Sequence, residues 1–195
     1  GLRMTRAIEE IARKKNLQRA AAAALYARGD ILLDYRYRSR DAEKAFSDAR
    51  FIFRAERDTE GEARCVNRLG DAAFRRFDYR TADRRFQEAL SLYRAAGSSF
   101  GEANCTKRFG DLSLQVPDYG KAETLYSRAL PLYTRLRSVL GEANCLKRLG
   151  DISFSTGAAG GARARYEKAM ALYLKAGSPL GTANCRKMLG EIAYA

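Results

Sequence analysis

An eleven-residue phrase returns along this chain at a fixed interval. It reads GEANCLKRLGD from Gly141, GEANCTKRFGD from Gly101, GEARCVNRLGD from Gly61 and GTANCRKMLGE from Gly181. The starts lie 40 residues apart, and a period of that length signals stacked supersecondary units. Such units bury their apolar faces on one another, so the 195 residues are expected to form one array without a central core.

Within each period the pattern is helical. The first helix carries the phrase and is expected over about Thr59–Arg76, Ser99–Gln115 and from Pro179 onward. Asp58, Ser98, Ser138 and Ser178 stand where an N-cap is wanted, and Pro179 occupies the first helical position that proline tolerates. Glu62, Glu102 and Glu142 fall in the first turn, where negative charge meets the helix dipole favourably. A second helix follows a turn capped by Asp78 or Asp118, with Pro117 as a stop. It carries Ala82/Phe86/Ala89/Tyr93, Ala122/Tyr126/Ala129/Tyr133 and Ala162/Tyr166/Ala169/Tyr173, at spacings that put each set on one face. Small alanines beside large rings read as close helix packing rather than a ligand box. Gly97 and Gly177 supply the left-handed residue that ends a helix.

The expected organisation is an all-α solenoid over 1–195. It has an N-terminal helix at 2–16, a divergent repeat at 17–60, repeats at 61–100, 101–140 and 141–180, and a half repeat at 181–195. The N-terminal helix has Ala7, Ile8, Ile11 and Ala12 as its packing stripe and ends near Asn16. The divergent repeat runs as a helix from Leu17 to about Tyr37, aligns Gly29-Asp30 with Gly70-Asp71, and packs its second helix through Ala42, Phe46, Ala49 and Phe53. In the fourth repeat Gly157–Gly161 lacks a cap and is expected to lose the turn. That stretch also lacks the frame of a phosphate-binding loop. The glycines at 70, 110, 150 and 190 are expected to mark the closest helix approach.

Several function classes are excluded on chemistry. Cys65, Cys105, Cys145 and Cys185 share one repeat position, too far apart to pair, and read as buried reduced thiols in a reducing, cytoplasmic setting. Without a C-x-x-C pair or any histidine there is no metal motif, and no cofactor is expected. No run is apolar for the roughly 18 residues a membrane span needs. The start, GLRMTRAIEEIARKK, has no apolar signal core and reads as the interior of a longer protein. Net charge is +13, but it is spread over all repeats without a basic tail. Nucleic-acid binding is therefore the alternative reading, because every repeat returns an aspartate to the surface that would track phosphates.

These residues resemble the tetratricopeptide repeat. The family's Leu-Gly pair is matched by Leu69-Gly70, Phe109-Gly110, Leu149-Gly150 and Leu189-Gly190, its Ala–aromatic–Ala set by Ala82, Phe86 and Ala89 and their counterparts, and its turn by Asp78-Tyr79 and Asp118-Tyr119. The likeness covers about residues 17–195. The 40-residue period is similar to the variant in kinesin light chains and spindle-orientation adaptors. The sequence departs from the family at Val66, Thr106, Leu146 and Arg186, where a large aromatic is usual, and at Ala73, Ser113, Ser153 and Ala193, where tyrosine is usual. The resemblance implies a right-handed solenoid with a concave groove lined by the first helices. It implies binding of a partner's peptide or helix and no catalytic machinery.

Four columns are expected to face that groove. The first is Arg64, Asn104, Asn144 and Asn184; asparagine offers a donor and an acceptor to an extended backbone. The second is Asn67, Lys107, Lys147 and Lys187, with Arg68, Arg108 and Arg148 beside it. The third is Asp30, Asp71, Asp111, Asp151 and Glu191. The fourth is Leu33, Phe74, Leu114, Phe154 and Tyr194. Together they suit a partner of acidic character with some apolar side chains, bound by a fragment of a larger adaptor or sensor. The competing reading makes Arg68–Asp71, Arg108–Asp111 and Arg148–Asp151 internal i,i+3 ion pairs, worth about 0.2–0.5 kcal/mol each. At the C-terminal edge Leu189, Ile192, Ala193 and Tyr194, with part of Ala169 and Tyr173, are expected to lie open and to support a two-fold contact between copies.

Overall fold

The structure, a computed structural model, describes residues 1–14, 17–34 and 38–194, with only the backbone given at Arg13. The break expected at Asn16 and the helix end expected near Tyr37 lie outside these residues. Among the described residues every regular element is helical: α1 (Leu2–Lys14), α2 (Gln18–Asp34), α3 (Ser39–Ala55), α4 (Thr59–Arg75), α5 (Tyr79–Ala95), α6 (Ser99–Ser113), α7 (Tyr119–Arg135), α8 (Val139–Ser155), α9 (Ala159–Lys175) and α10 (Pro179–Tyr194). The fold is an all-α solenoid of helix–turn–helix repeats. It comprises two compact units, Gly1–Cys105 and Thr106–Ala195.

The 40-residue period has a simple physical origin. Helices α4, α5, α8 and α9 are each 17 residues long, about 25 Å at the α-helical rise, and three-residue turns separate them from their partners. The turns share one hydrogen-bonding scheme. After α3, Asp58 N–H donates to Phe53 O and Arg57 N–H to Arg54 O, and the same pair recurs as Ser98→Tyr93 with Gly97→Arg94 and as Ser178→Tyr173 with Gly177→Leu174. This Schellman arrangement needs a left-handed residue. Gly97, Gly157 and Gly177 provide it, and Arg57, Phe77 and Arg137 adopt it at φ of 54–64° despite their side chains. Gly157 thus keeps the turn that the sequence was expected to lose, although α9 does start without a side-chain cap. The exception is Pro117, whose ring forbids positive φ; there α6 closes at Ser113, two residues before the expected Gln115, and the turn lengthens.

Caps follow the sequence with one correction. Asp58, Asp78 and Asp118 accept from the N–H of Gly61, Thr81 and Lys121 at 2.8–3.0 Å, and Ser98 and Ser178 do so more weakly at 3.4 Å. Ser138 makes no side-chain cap bond.

In unit 1 each of α1–α4 packs on the helix that follows it; in unit 2 each of α7–α9 does the same. Phe46, Phe86, Tyr126 and Tyr166 are fully buried, as are the alanines flanking them. A Cβ placed on Gly29 or Gly70 would come 2.5 Å from the ring of Phe46 or Phe86, and one on Gly110 or Gly150 would come 2.8–2.9 Å from Tyr126 or Tyr166. Gly190 departs from the expectation: a Cβ there meets nothing within 4 Å. A second glycine column went unread in the sequence. Gly61, Gly101, Gly141 and Gly181 lie under the rings of Phe53, Tyr93, Tyr133 and Tyr173, so the second helix of each repeat is gripped at two points.

Three further expectations change. On α1 the buried side is Thr5 and Ala12, helped by an Arg28–Glu9 ion pair at 2.9 Å, while Met4, Ala7, Ile8 and Ile11 face outward. Ala169 and Tyr173 are covered by α10 rather than open, and Leu189 and Ile192 pack partly against the same cluster; Tyr194 is exposed. Leu33 belongs to the core with Phe46 and Leu69.

Candidate functional site

The proposed ligand columns come from the first helix of each repeat, and the structure gives each residue a specific neighbourhood. In unit 1, Arg64 is exposed and lays its guanidinium over the Tyr26 ring, 4.7 Å from the centroid. Arg68 bridges two helices: it contacts Asp30 at 2.9 Å, Asp71 at 3.0 Å and the Tyr26 hydroxyl at 3.2 Å. Burial opposes its charge, but Tyr26, Asp71 and Asp30 more than offset this and hold its pKa above the ordinary range. Asp30 moves the other way: desolvation dominates and raises its pKa. Asp71 is buried. Asn67 is half-buried and hydrogen-bonded to Tyr93, while its Oδ1 is buried without a partner. Phe74 is half-buried and meets Tyr79 edge-on at 5.4 Å; Asn104 is half-buried.

Unit 2 repeats the plan with more donors. Asp111 is 5% exposed and saturated. Its Oδ2 receives Lys107 at 3.0 Å and Arg108 at 3.2 Å, and its Oδ1 receives the Tyr126 hydroxyl at 2.7 Å with Arg148 at 3.4 Å. Burial alone would raise its pKa, but the three cations and the hydroxyl hold it well below the usual carboxylate range. Asp151 is treated alike, by Lys147 at 2.8 Å, Arg148 at 3.4 Å and the Tyr166 hydroxyl at 2.9 Å. Arg148 therefore joins Asp111 to Asp151 as Arg68 joins Asp30 to Asp71. Two things differ between the units: the equivalent rings in unit 1 are Phe46 and Phe86, without hydroxyls, and Asn67 stands where unit 2 has Lys107 and Lys147.

The i,i+3 ion pairs are thus present, and they are parts of larger bridges between helices. Asp71 and Asp111 are withdrawn from the surface, whereas the arginine and lysine side chains remain at its edge. Asn144 is half-buried and accepts the Tyr173 hydroxyl at Oδ1, 2.6 Å away. Leu114 and Phe154 are half-buried, Phe154 against the Tyr166 cluster. Asn184 is exposed, and so is Lys187, which pairs with Glu191 at 3.5 Å.

None of the protein-family models and none of the curated proteins matches the sequence. Solved structures do resemble it. BtubC (BKLC) from P. vanneervenii superposes with a TM-score of 0.73 at 18% identity, over 99% of this chain and 89% of that one. A STAND protein with a tetratricopeptide repeat sensor from Pyrococcus horikoshii gives 0.68 at 21% identity, over 98% of this chain and 32% of its own. A Rap protein complexed with competence and sporulation factor gives 0.67 at 14% identity, over 99% and 58%. The fold is tetratricopeptide-like. At these identities the likeness is one of fold.

In this tetratricopeptide-like chain the four cysteines are free and fully buried, and burial pushes the thiols of Cys65 and Cys145 up to about 12. Among the described residues no group of three or more His, Cys, Asp or Glu side chains could hold a metal ion, and no helix is long and apolar enough to cross a membrane. Sequence reasoning missed Tyr26, Tyr126, Tyr166 and Tyr173 as polar partners of the face. A signal existed: each of the last three stands 15 or 29 residues after the side chain its hydroxyl meets, within one repeat register. It also missed Arg50, which ties α3 to Glu62 at 3.0 Å and Glu88 at 2.5 Å.

Proposed function

We propose that the chain is a non-catalytic module that binds a partner protein through a peptide or helical segment of acidic character, on the face that the first helices form within unit 2. The supporting observation is the cluster of cations in unit 2. Four cations, Lys107, Arg108, Lys147 and Arg148, surround two anions, Asp111 and Asp151, whose oxygens are already engaged. Their amino and guanidinium groups lie at the edge of a surface that also carries Asn144 and the half-buried Phe154. In unit 1 the equivalent positions hold Asn67 and Arg68, and Arg68 is shared between Asp30 and Asp71. That structural neighbours include a Rap protein complexed with a signalling factor and a protein with a repeat sensor agrees with a binding role. Four buried free thiols suit a reducing, cytoplasmic setting.

The test is a set of defined acidic peptides titrated against the chain and against Lys107→Gln/Lys147→Gln. This double change removes two cations without reversing any charge. Affinity should fall at least tenfold at low salt and lose most of its salt dependence, with far-UV circular dichroism unchanged. Equal affinity in the variant would overturn the reading. Tight binding of single- or double-stranded nucleic acid, with a steep salt slope, would replace it with the alternative.

A further inference from the structure

We propose that the part of this face built from residues 107–111 and 144–151 presents only hydrogen-bond donors, and that Tyr173 sets this polarity by holding the amide oxygen of Asn144. The inference rests on the proposed acidic-partner reading and specifies how that partner is read. Lysine and arginine can only donate, so the acceptors within the stretch are Asp111, Asp151 and the Asn144 oxygen. Both carboxylates are engaged on both oxygens. The third acceptor is held by the Tyr173 hydroxyl at 2.6 Å. Tyr173 is 4% exposed, so its hydroxyl must find a partner inside the fold, and Asn144 supplies it. With the oxygen turned inward, the amino end of Asn144 is left for a ligand. An asparagine expected to grip a peptide backbone through both ends then grips through one. A ligand on this stretch meets it with carbonyls and carboxylates, and a neutral amide side chain in the same place brings a donor against donors.

The hydroxyl keeps its proton across the working range, since burial raises its pKa to about 12. The lock can be removed without disturbing packing, because Tyr173 places its ring over Gly181 as Phe53 does over Gly61. Tyr173→Phe therefore substitutes a ring the chain itself uses at that register.

The probes are a fluorescein-labelled nine-residue peptide with glutamate at alternate positions and its glutamine counterpart, titrated by anisotropy. The parent chain should prefer the glutamate peptide. Tyr173→Phe, with an unchanged melting profile, should lower that preference about fivefold, the loss of one oriented hydrogen bond, and should shift the Asn144 side-chain amide resonances. Asn144→Asp should weaken the glutamate peptide by more than tenfold. If the parent chain binds the glutamate peptide and Lys107→Gln/Lys147→Gln weakens it, while Tyr173→Phe leaves the preference and the amide resonances unchanged, the polarity lock is wrong and the acidic-partner reading stands. If the parent chain binds neither peptide, or both equally, the acidic-partner reading fails and the lock with it.

Discussion

Gly70 and Gly190 occupy the same place in the repeated phrase, each following a leucine in the body of a first helix, yet they face opposite surroundings. A methyl group on Gly70 would sit 2.5 Å from Cε1 and 2.7 Å from Cδ1 of Phe86, and that ring is fully buried between Ala82 and Ala89. Ordinary carbon contacts need about 1 Å more, so the ring or the helix must move, and overpacking of this kind costs roughly 1–3 kcal/mol. The ring has no exposed edge toward which to tilt, which puts the cost near the upper end. Alanine returns about 1 kcal/mol of helix propensity. Gly70→Ala should therefore destabilise by about 2 kcal/mol net. At Gly190 the added Cβ meets nothing within 4 Å, so only the propensity gain remains. Gly190→Ala should stabilise by up to about 1 kcal/mol.

The assay is urea denaturation followed by far-UV circular dichroism, with the slope checked so that a midpoint change reports stability. Thermal melts offer a second readout, at about 2–4 °C per kcal/mol for a chain of this size. The predicted separation between the two variants is about 3 kcal/mol with opposite signs. Midpoints that move in the same direction, or that agree within about 0.5 kcal/mol, would show that helix propensity governs both sites and that the ring contact is not the reason for the glycine register.

Four more outcomes follow from the geometry. Tyr126→Phe leaves the ring over Gly110 but removes a 2.7 Å donor from the buried Asp111 carboxylate, and should cost about 1.5–3 kcal/mol by denaturant midpoint. Because the Asp111 pKa is depressed in the fold, its stabilisation is complete above the unfolded aspartate value of about 3.9 and is lost as pH falls below it; acid titration of the parent should show this loss, and Asp111→Asn should flatten that limb. Ser138→Asp supplies the cap bond that Ser138 does not make and should raise stability by about 0.5–1 kcal/mol, while native-state labelling by a bulky thiol reagent should be slow at all four cysteines and fast once the chain is unfolded in urea.

The helices, the turns capped by Asp58, Asp78 and Asp118 and the Ala–aromatic–Ala faces could be read from sequence because each depends on spacing within about twenty residues. Where the packing direction is decided by a neighbour, the pattern was silent. On α1 the apolar arc runs from Ala7 through Met4, Ile8 and Ile11 to Thr5 and Ala12, and sequence alone does not say which part meets α2; the Arg28–Glu9 pair and the small Ala12 turn it. Arg57, Phe77 and Arg137 were unreadable as left-handed residues, because nothing in their chemistry favours that conformation. Only their alignment with Gly97, Gly157 and Gly177 could have shown it.

The ligand face was legible as a set of positions and not as chemistry, for a reason visible in the aspartate column. Asp30, Asp71, Asp111 and Asp151 share one register, and an alignment treats them as equivalent. What differs is the ring that closes over the glycine beside each of them. Phe46 and Phe86 bring no polar atom, whereas Tyr126 and Tyr166 bring a hydroxyl that fills one oxygen of Asp111 and Asp151. With that oxygen supplied from behind, these two carboxylates anchor Lys107, Arg108, Lys147 and Arg148 at the surface and keep their own acceptors out of reach. Asp30 has no such donor, and burial raises its pKa. The tyrosine hydroxyls, together with Lys107 and Lys147 where unit 1 has Asn67, make the set in unit 2 rich in donors. Phe86→Tyr tests this directly. If the added hydroxyl reaches Asp71, the variant should be at least as stable as the parent; a loss above about 1 kcal/mol would show that the hydroxyl is buried unpaired and that Asp71 cannot be supplied from behind as Asp111 is.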